Sequence, residues 1–378
     1  MTAPDRHNPF RLGYRRWLDG LRGWAILLVL AFHLGLLSGG SLGVDVFFVL
    51  SGFLITTLLA EEWQRHDSIS LPRFYLRRAL RLWPAFFTLL ALYGLYSWLW
   101  LPTAEAAEHV QEILVAGCYV ANWPTLHQTG FAALGHTWSL SLEEQFYLLW
   151  PPLLWLMLRL QWPRRRILAL VCAGICASVA WRIALYHLHR TPGPDKDANI
   201  MRMYMGLDTR ADSLLVGCGV GLLAAWNCLP ASRRAVRWTG GAAAASALVL
   251  AYLAAFSAET RTLYFHGLLT VVAMLVGIII VRLLVAPSGV GRWLLESAPL
   301  VGIGRISYGL YLYHIVAMYG LRLVGVQREG LPGAVAIVGL SLAAALVSYF
   351  AIERPFLRLK DRLAHRGVAP VRLASRAA

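Results

Sequence analysis

Charge is scarce in this sequence: Asp, Glu, Lys and Arg make up 15% of 378 residues, against 58% apolar types. With a mean hydropathy of +0.57, that excludes an ordinary soluble globule of this length. Cysteine is sparse too. Cys118, Cys172, Cys176, Cys218 and Cys228 sit in or beside apolar runs, and "CAGIC" has one-turn helical spacing. That placement suits buried small residues and gives neither a disulfide framework nor a metal site. No internal repeat of the inverted-repeat transporter kind is present, and no low-complexity tract beyond the Ala-rich opening of one apolar run. The first apolar run lacks an Ala-x-Ala cleavage site, so a removed signal peptide fits it poorly. The net charge of +15 is not a nucleic-acid footprint, because the arginines fall between apolar runs rather than on a soluble face.

What the chain does have is apolar runs long enough to cross a hydrocarbon layer. They lie at about 23–38, 42–60, 84–101, 143–160, 167–188, 209–228, 239–257, 263–285, 306–324 and 333–352. The run Val110–Tyr119 is too short to span and reads as re-entrant or interfacial. Many of the 15 Trp and 15 Tyr stand at run ends, where amphipathic rings prefer the headgroup level. Placing the N-terminus in the cytoplasm puts 27 of the 35 basic residues on inner segments, 6 on outer segments and 2, Arg182 and Arg210, in outer portions of helices. The outer segment from Leu101 to Gln145 has no Lys or Arg at all. Because positive residues are retained inside, the expected fold is all-α: a polytopic integral membrane protein of about ten transmembrane helices, both termini cytoplasmic. Residues 1–355 form the transmembrane domain, and 356–378 a basic cytoplasmic tail too short to fold alone.

Ionisable groups inside such runs are costly and usually face the protein interior. In "LDGLRGWAILLVLAFH", Arg22 and His33 lie eleven residues apart, about 20° apart in azimuth and roughly 16 Å along a helix, hence on one face. A neutral histidine there also serves as an interhelical hydrogen bonder. In "RFYLRRALRLWP", Arg78 and Arg81 share a face and suit a phosphate group; the plainer alternative is a basic helix resting on anionic lipid. "HTWSLSLEEQFYLLWP" reads as a capping box, Ser141 with Glu144, which leaves Glu143 free to face a cavity. Asp45 opens the second run, where capping by the helix dipole and a functional role are both open. Asp208, Arg210 and Asp212, at the depth of Arg182, read as a charge-pair network locking helices.

These segments together resemble acyltransferase family 3, membrane O-acyltransferases acting on bacterial surface polysaccharides, peptidoglycan or small glycosides. Arg22 and His33 fit its Arg, ten residues, His pattern; "GVDVFFVLSGFLI", "FYLRRALRLWP", "HTWSLSLEEQFYLLWP", "ISYGLYLYHI" and "IERP" fit its other motifs in order. The resemblance implies transfer of an acyl group, acetyl above all, from cytosolic acyl-coenzyme A to a hydroxyl of a carbohydrate or glycosylated acceptor. No tightly bound cofactor and no metal are expected. Arg22, Arg77, Arg78 and Arg81 would hold the donor, and Trp138, Ser51, His314 and Tyr311 the acceptor. His33 would act as general base or acyl carrier with Glu143 and Asp45 as partners. The bacterial cytoplasmic (inner) membrane is the implied site. Some members continue into an SGNH esterase-like domain; this chain stops short of it, so transfer is expected from the membrane part or from a separate partner. The competing class is a transporter of a sugar, lipid-linked glycan or acyl metabolite, with His33 as proton relay.

Overall fold

A computed structural model of the chain describes residues 10–123, 133–188, 196–256, 261–326 and 330–366. Helices account for most of them, joined by turns and short irregular segments, with no strand among the described residues. Three long helices, α1 (Arg16–His33), α2 (Leu42–His66) and α3 (Leu71–Trp100), precede the shorter α4 (Thr103–Gly117). Next come α5 (Trp138–Arg159), α6 (Arg164–Leu188), α7 (Lys196–Met205), α8 (Leu207–Ala225) and α9 (Arg233–Phe256). The short α10 (Arg261–Leu263) passes through a π-helical turn, Tyr264–Leu268, into α11 (Leu269–Val285). After α12 (Val290–Leu295) and α13 (Ala298–Arg305) come α14 (Ser307–Leu323) and α15 (Leu331–Val347), the latter continuing through a second π turn, Ser348–Glu353, into α16 (Arg354–Arg366). Each apolar run falls largely within one helix. Among the described residues, six helical segments are long and apolar enough to cross a membrane: α2, α3, α6, α9, Tyr264–Val285 and Leu331–Leu363.

The first run ends earlier than its hydropathy indicates. Gly35 takes φ 74°, its N–H meets the Phe32 carbonyl at 3.0 Å and the Leu36 N–H meets Ala31 at 2.8 Å. That is a Schellman stop, which favours glycine at the left-handed position. His33 is therefore the last residue of α1, not a mid-helix one. The short run at Val110–Tyr119 belongs largely to α4, which is pinned to α3: Tyr93 Oη donates to Glu112 Oε2 at 3.0 Å, and Ser97 Oγ lies 2.7 Å from His109 Nδ1.

The bundle closes around α2 and α8. Gly52 and Gly217 stand where any Cβ would collide with backbone of the facing helix, so the two axes approach as only small residues allow. Beside this seam lie two fully buried ion pairs, Arg182–Asp212 at 3.0 Å and Arg210–Asp45 at 2.9 Å. Thr270 of α11 donates to Asp212, and Ser213 to Asp45. The network expected around Arg182 thus ties α2, α6, α8 and α11. Asp208 turns outward instead, to Arg202 and the Trp181 indole. Of the five cysteines, all free, only Cys218 is buried; Cys172 and Cys176 point away from the bundle, so the expected burial holds at one position. The tail's first residues form α16, and 367–378 lie outside the described residues.

Candidate active site

A cavity of about 560 Å³ runs beside α2, with lining residues from Val44 to His66, roughly 33 Å of helix. Walls come from α3, α5 and α14, with Arg22 from α1 and Lys360 from α16. One half is cationic. Arg77 and Arg78 are neighbours on α3, Arg81 stands about one turn further on, and Arg22 joins them. Arg78 is the most tightly held: its Nε donates to Glu144 Oε1 at 3.0 Å, and its guanidinium lies 3.0 Å from the centroid of the Tyr147 ring, a cation–π contact. Arg77 pairs with Glu62 at 3.2 Å.

These contacts correct the capping box. α5 begins at Trp138, three residues before Ser141, and its N-cap, Thr137, makes no side-chain cap bond. Ser141 Oγ donates to the Thr137 carbonyl, and Glu144 reaches across to Arg78. A charge-assisted bond in a partly buried site outcompetes a neutral backbone amide for the carboxylate. Glu143, one residue earlier, faces the cavity and accepts from Ser51 Oγ at 2.6 Å, joining α5 to α2.

At its other end the cavity stops against Ser139 and Tyr311, whose hydroxyl oxygens lie 2.5 Å apart. Tyr311 Oη donates to the His136 carbonyl at 2.9 Å, and Ser139 Oγ lies 3.4 Å from the same carbonyl. Behind this wall stand three histidines. The His33 and His314 ring centroids are 4.9 Å apart, those of His136 and His314 5.4 Å. His33 Nδ1 lies 2.9 Å from the Val29 carbonyl, His314 Nδ1 2.7 Å from that of Tyr311, and His136 Nε2 3.0 Å from that of Leu312. A carbonyl only accepts, so each of these nitrogens carries the hydrogen, and the neutral rings keep their lone pairs on Nε2, Nε2 and Nδ1 respectively. His314 Nε2 and His136 Nδ1 are buried and have no hydrogen-bond partner among the described residues. Each ring of the cluster thus donates to one backbone carbonyl and keeps one acceptor nitrogen.

The cavity gathers Arg22, Arg77, Arg78, Arg81, Ser51, Glu143 and Tyr311. His33 and His314 lie just beyond it, past the Tyr311 ring. Two candidates sit elsewhere: Trp138 is buried against Phe48 and Tyr204, and Asp45 is held by Arg210. His136 and Tyr147 join the site without having been singled out, although both fall in "HTWSLSLEEQFYLLWP". The available signal for Tyr147 was its spacing: four residues after Glu143 puts it on the same helical face. Chemically, a long slot with guanidinium groups at one end and hydroxyl groups backed by imidazoles at the other suits an elongated anionic molecule whose reactive end is uncharged.

The family model described as an acyltransferase domain matches residues 15–352. Peptidoglycan O-acetyltransferase OatA of Listeria monocytogenes is 34% identical over 314 residues, covering 79% of this chain and 48% of its own. O-acetyltransferase OatA of Staphylococcus aureus is 31% identical over 355 residues, covering 90% of this chain and 57% of its own. The chain thus spans about half the length of the curated relatives it matches. No solved structure matches it. Since the family match takes in every element that lines the cavity except the last helix, the chain belongs to acyltransferase family 3, whose members are enzymes that transfer acyl groups.

Proposed function

We propose that this chain is a multi-pass enzyme of a bacterial cytoplasmic membrane that moves an acetyl group from cytosolic acetyl-coenzyme A to a hydroxyl of a carbohydrate, with peptidoglycan, the acceptor named for the Listeria relative, as the first to test. The observation that carries this reading is the cavity itself, cationic at one end and closed by hydroxyls beside a histidine cluster at the other. Ten crossings with both termini in the cytoplasm put the cationic end inside, where acyl-coenzyme A is found. Arg22, Arg78 and Arg81 then hold phosphate oxygens through permanently charged donors, with Arg77 kept beside them by Glu62, and the thioester rises toward Ser139 and Tyr311.

In the reaction, His33 Nε2 takes the proton of the acceptor hydroxyl as its oxygen attacks the thioester carbon. The C–S bond breaks, and the leaving thiolate takes that proton back from the imidazolium. In the two-step version the same lone pair attacks first and the acyl group rests on the ring; incubation with radiolabelled donor alone, followed by a search for acyl-histidine, separates the two. His314, whose ring centroid lies 4.9 Å from that of His33, adds a buried acceptor nitrogen, Nε2. Asp45 in this scheme packs the bundle, and Trp138 shapes the wall behind Phe48.

Two outcomes test the assignments. Arg78→Ala is expected to weaken acetyl-coenzyme A binding by about tenfold or more, the size of one charge-assisted contact, as read by calorimetry on purified protein; unchanged affinity would remove Arg78 from the donor site. Glu143→Gln keeps the shape and the Ser51 bond while discarding the charge. Its expected signature is a fall in turnover with donor affinity preserved, and a fall in donor affinity alone would reassign it. The acceptor is read by glycan mass spectrometry of a host expressing the wild-type chain, where an added acetyl mass on the glycan is expected.

A further inference from the structure

The inner mouth of the cavity holds more positive charge than its carboxylates use. Glu61 accepts from the Leu12 N–H at 2.6 Å and from Arg65 at 3.1 Å. Glu62 accepts from the Ser70 N–H at 2.9 Å and from Arg77 at 3.2 Å. Arg65 and Arg77 are thereby neutralised, which leaves Arg73 and Lys360 facing the same space. Arg73 has no hydrogen bond or ion pair among the described residues. The ion partner of Lys360 is its neighbour Asp361, at 3.5 Å and 67% exposed, a geometry that contributes little. Arg73 lies eight residues before Arg81 on α3, about 12 Å along the axis, so this pair forms a second cationic tier below the Arg22, Arg78 and Arg81 tier.

Lys360 comes from α16, which follows the family-matched region ending at 352. That helix packs along α3 and leaves Phe356, Leu359 and Leu363 exposed as an apolar stripe, as a helix lying in the membrane interface does. Lys360 flanks the stripe on the side of the cavity. Coenzyme A carries two separate phosphate units, a pyrophosphate and a phosphate monoester on its ribose. We propose that Lys360 and Arg73 form a distinct phosphate site at the cavity mouth that takes the ribose phosphate monoester of the donor, with α16 as the element that supplies it. This rests on the donor reading above.

The test uses the full chain in nanodiscs of zwitterionic lipid, titrated with coenzyme A and with 3′-dephospho-coenzyme A. Lys360→Ala should lose about tenfold in affinity for coenzyme A, the scale of one charge-assisted bond, with dephospho-coenzyme A binding unchanged; Lys360→Arg should retain discrimination. The chain has only two lysines, Lys196 and Lys360, so amine-reactive labelling read by mass spectrometry reports the site directly. Coenzyme A should slow labelling of Lys360 relative to Lys196, and dephospho-coenzyme A should not. Equal losses for both coenzymes, or none, in Lys360→Ala overturn the proposal. So does protection of Lys360 by phosphatidylglycerol in the nanodisc without coenzyme, which would make the mouth a lipid headgroup site. A wild-type chain that binds neither coenzyme would instead sink the donor reading, a result distinct from unchanged discrimination.

Discussion

With His33 replaced by alanine, acetyl transfer is expected to fall by about 10²- to 10⁴-fold, the contribution of a positioned general base, while acetyl-coenzyme A affinity stays at its wild-type value. The separation is structural. His33 lies outside the cavity that would hold the donor, as the last residue of α1. Its Nδ1–H bond to Val29 fixes which nitrogen carries the lone pair, so the loss is of one defined base. Transfer is measured as acetyl-labelled glycan per molecule of enzyme. Near wild-type transfer in this variant would remove His33 from the chemistry and, with it, the reading of the histidine cluster.

Asp45→Ala should fail for a different reason. It leaves the Arg210 guanidinium fully buried without its anion, and breaking such a pair from one side costs about 3–5 kcal/mol. The expected result is a marked drop in melting temperature in detergent, with activity lost in proportion to unfolded protein. Removing both partners, as Asp45→Ala with Arg210→Met, should restore much of the stability, because an apolar pair of similar volume replaces the ions. A single variant that melts like the wild type yet transfers nothing would place Asp45 in catalysis, contrary to its packing with Arg210 and Ser213.

The helices were legible because lipid-facing segments must satisfy their backbone internally and stay apolar throughout. Where the reading slipped, a local or a long-range partner was responsible. Leu34 to Leu37 kept the hydropathy high beyond His33, yet Gly35 was a readable stop. Glu144 looked like a capping residue because its true partner, Arg78, lies 66 residues away in sequence and no local pattern announces it. Arg22, Arg78, Arg81 and Glu143 line the cavity; for each, spacing on a helix fixes the face on which it stands. Asp45 was ambiguous for a sound reason: a carboxylate in a first helical turn has the same sequence signature whether it serves the dipole, a buried arginine or a substrate. Lys360 was invisible as a cavity-lining residue, since no local pattern announces that the helix after the second π turn packs against α3.

The contact between Ser139 and Tyr311 carries a consequence for the cell as a whole. A slot that follows α2 for most of its length would, if wet from end to end, let ions run down the membrane potential, a drive of about 2.3 kcal/mol per charge per 100 mV. Two hydroxyls at 2.5 Å interrupt the water file at one point. If the chain works across a bilayer as proposed, that closure is what would keep its turnover from draining the energy stored there.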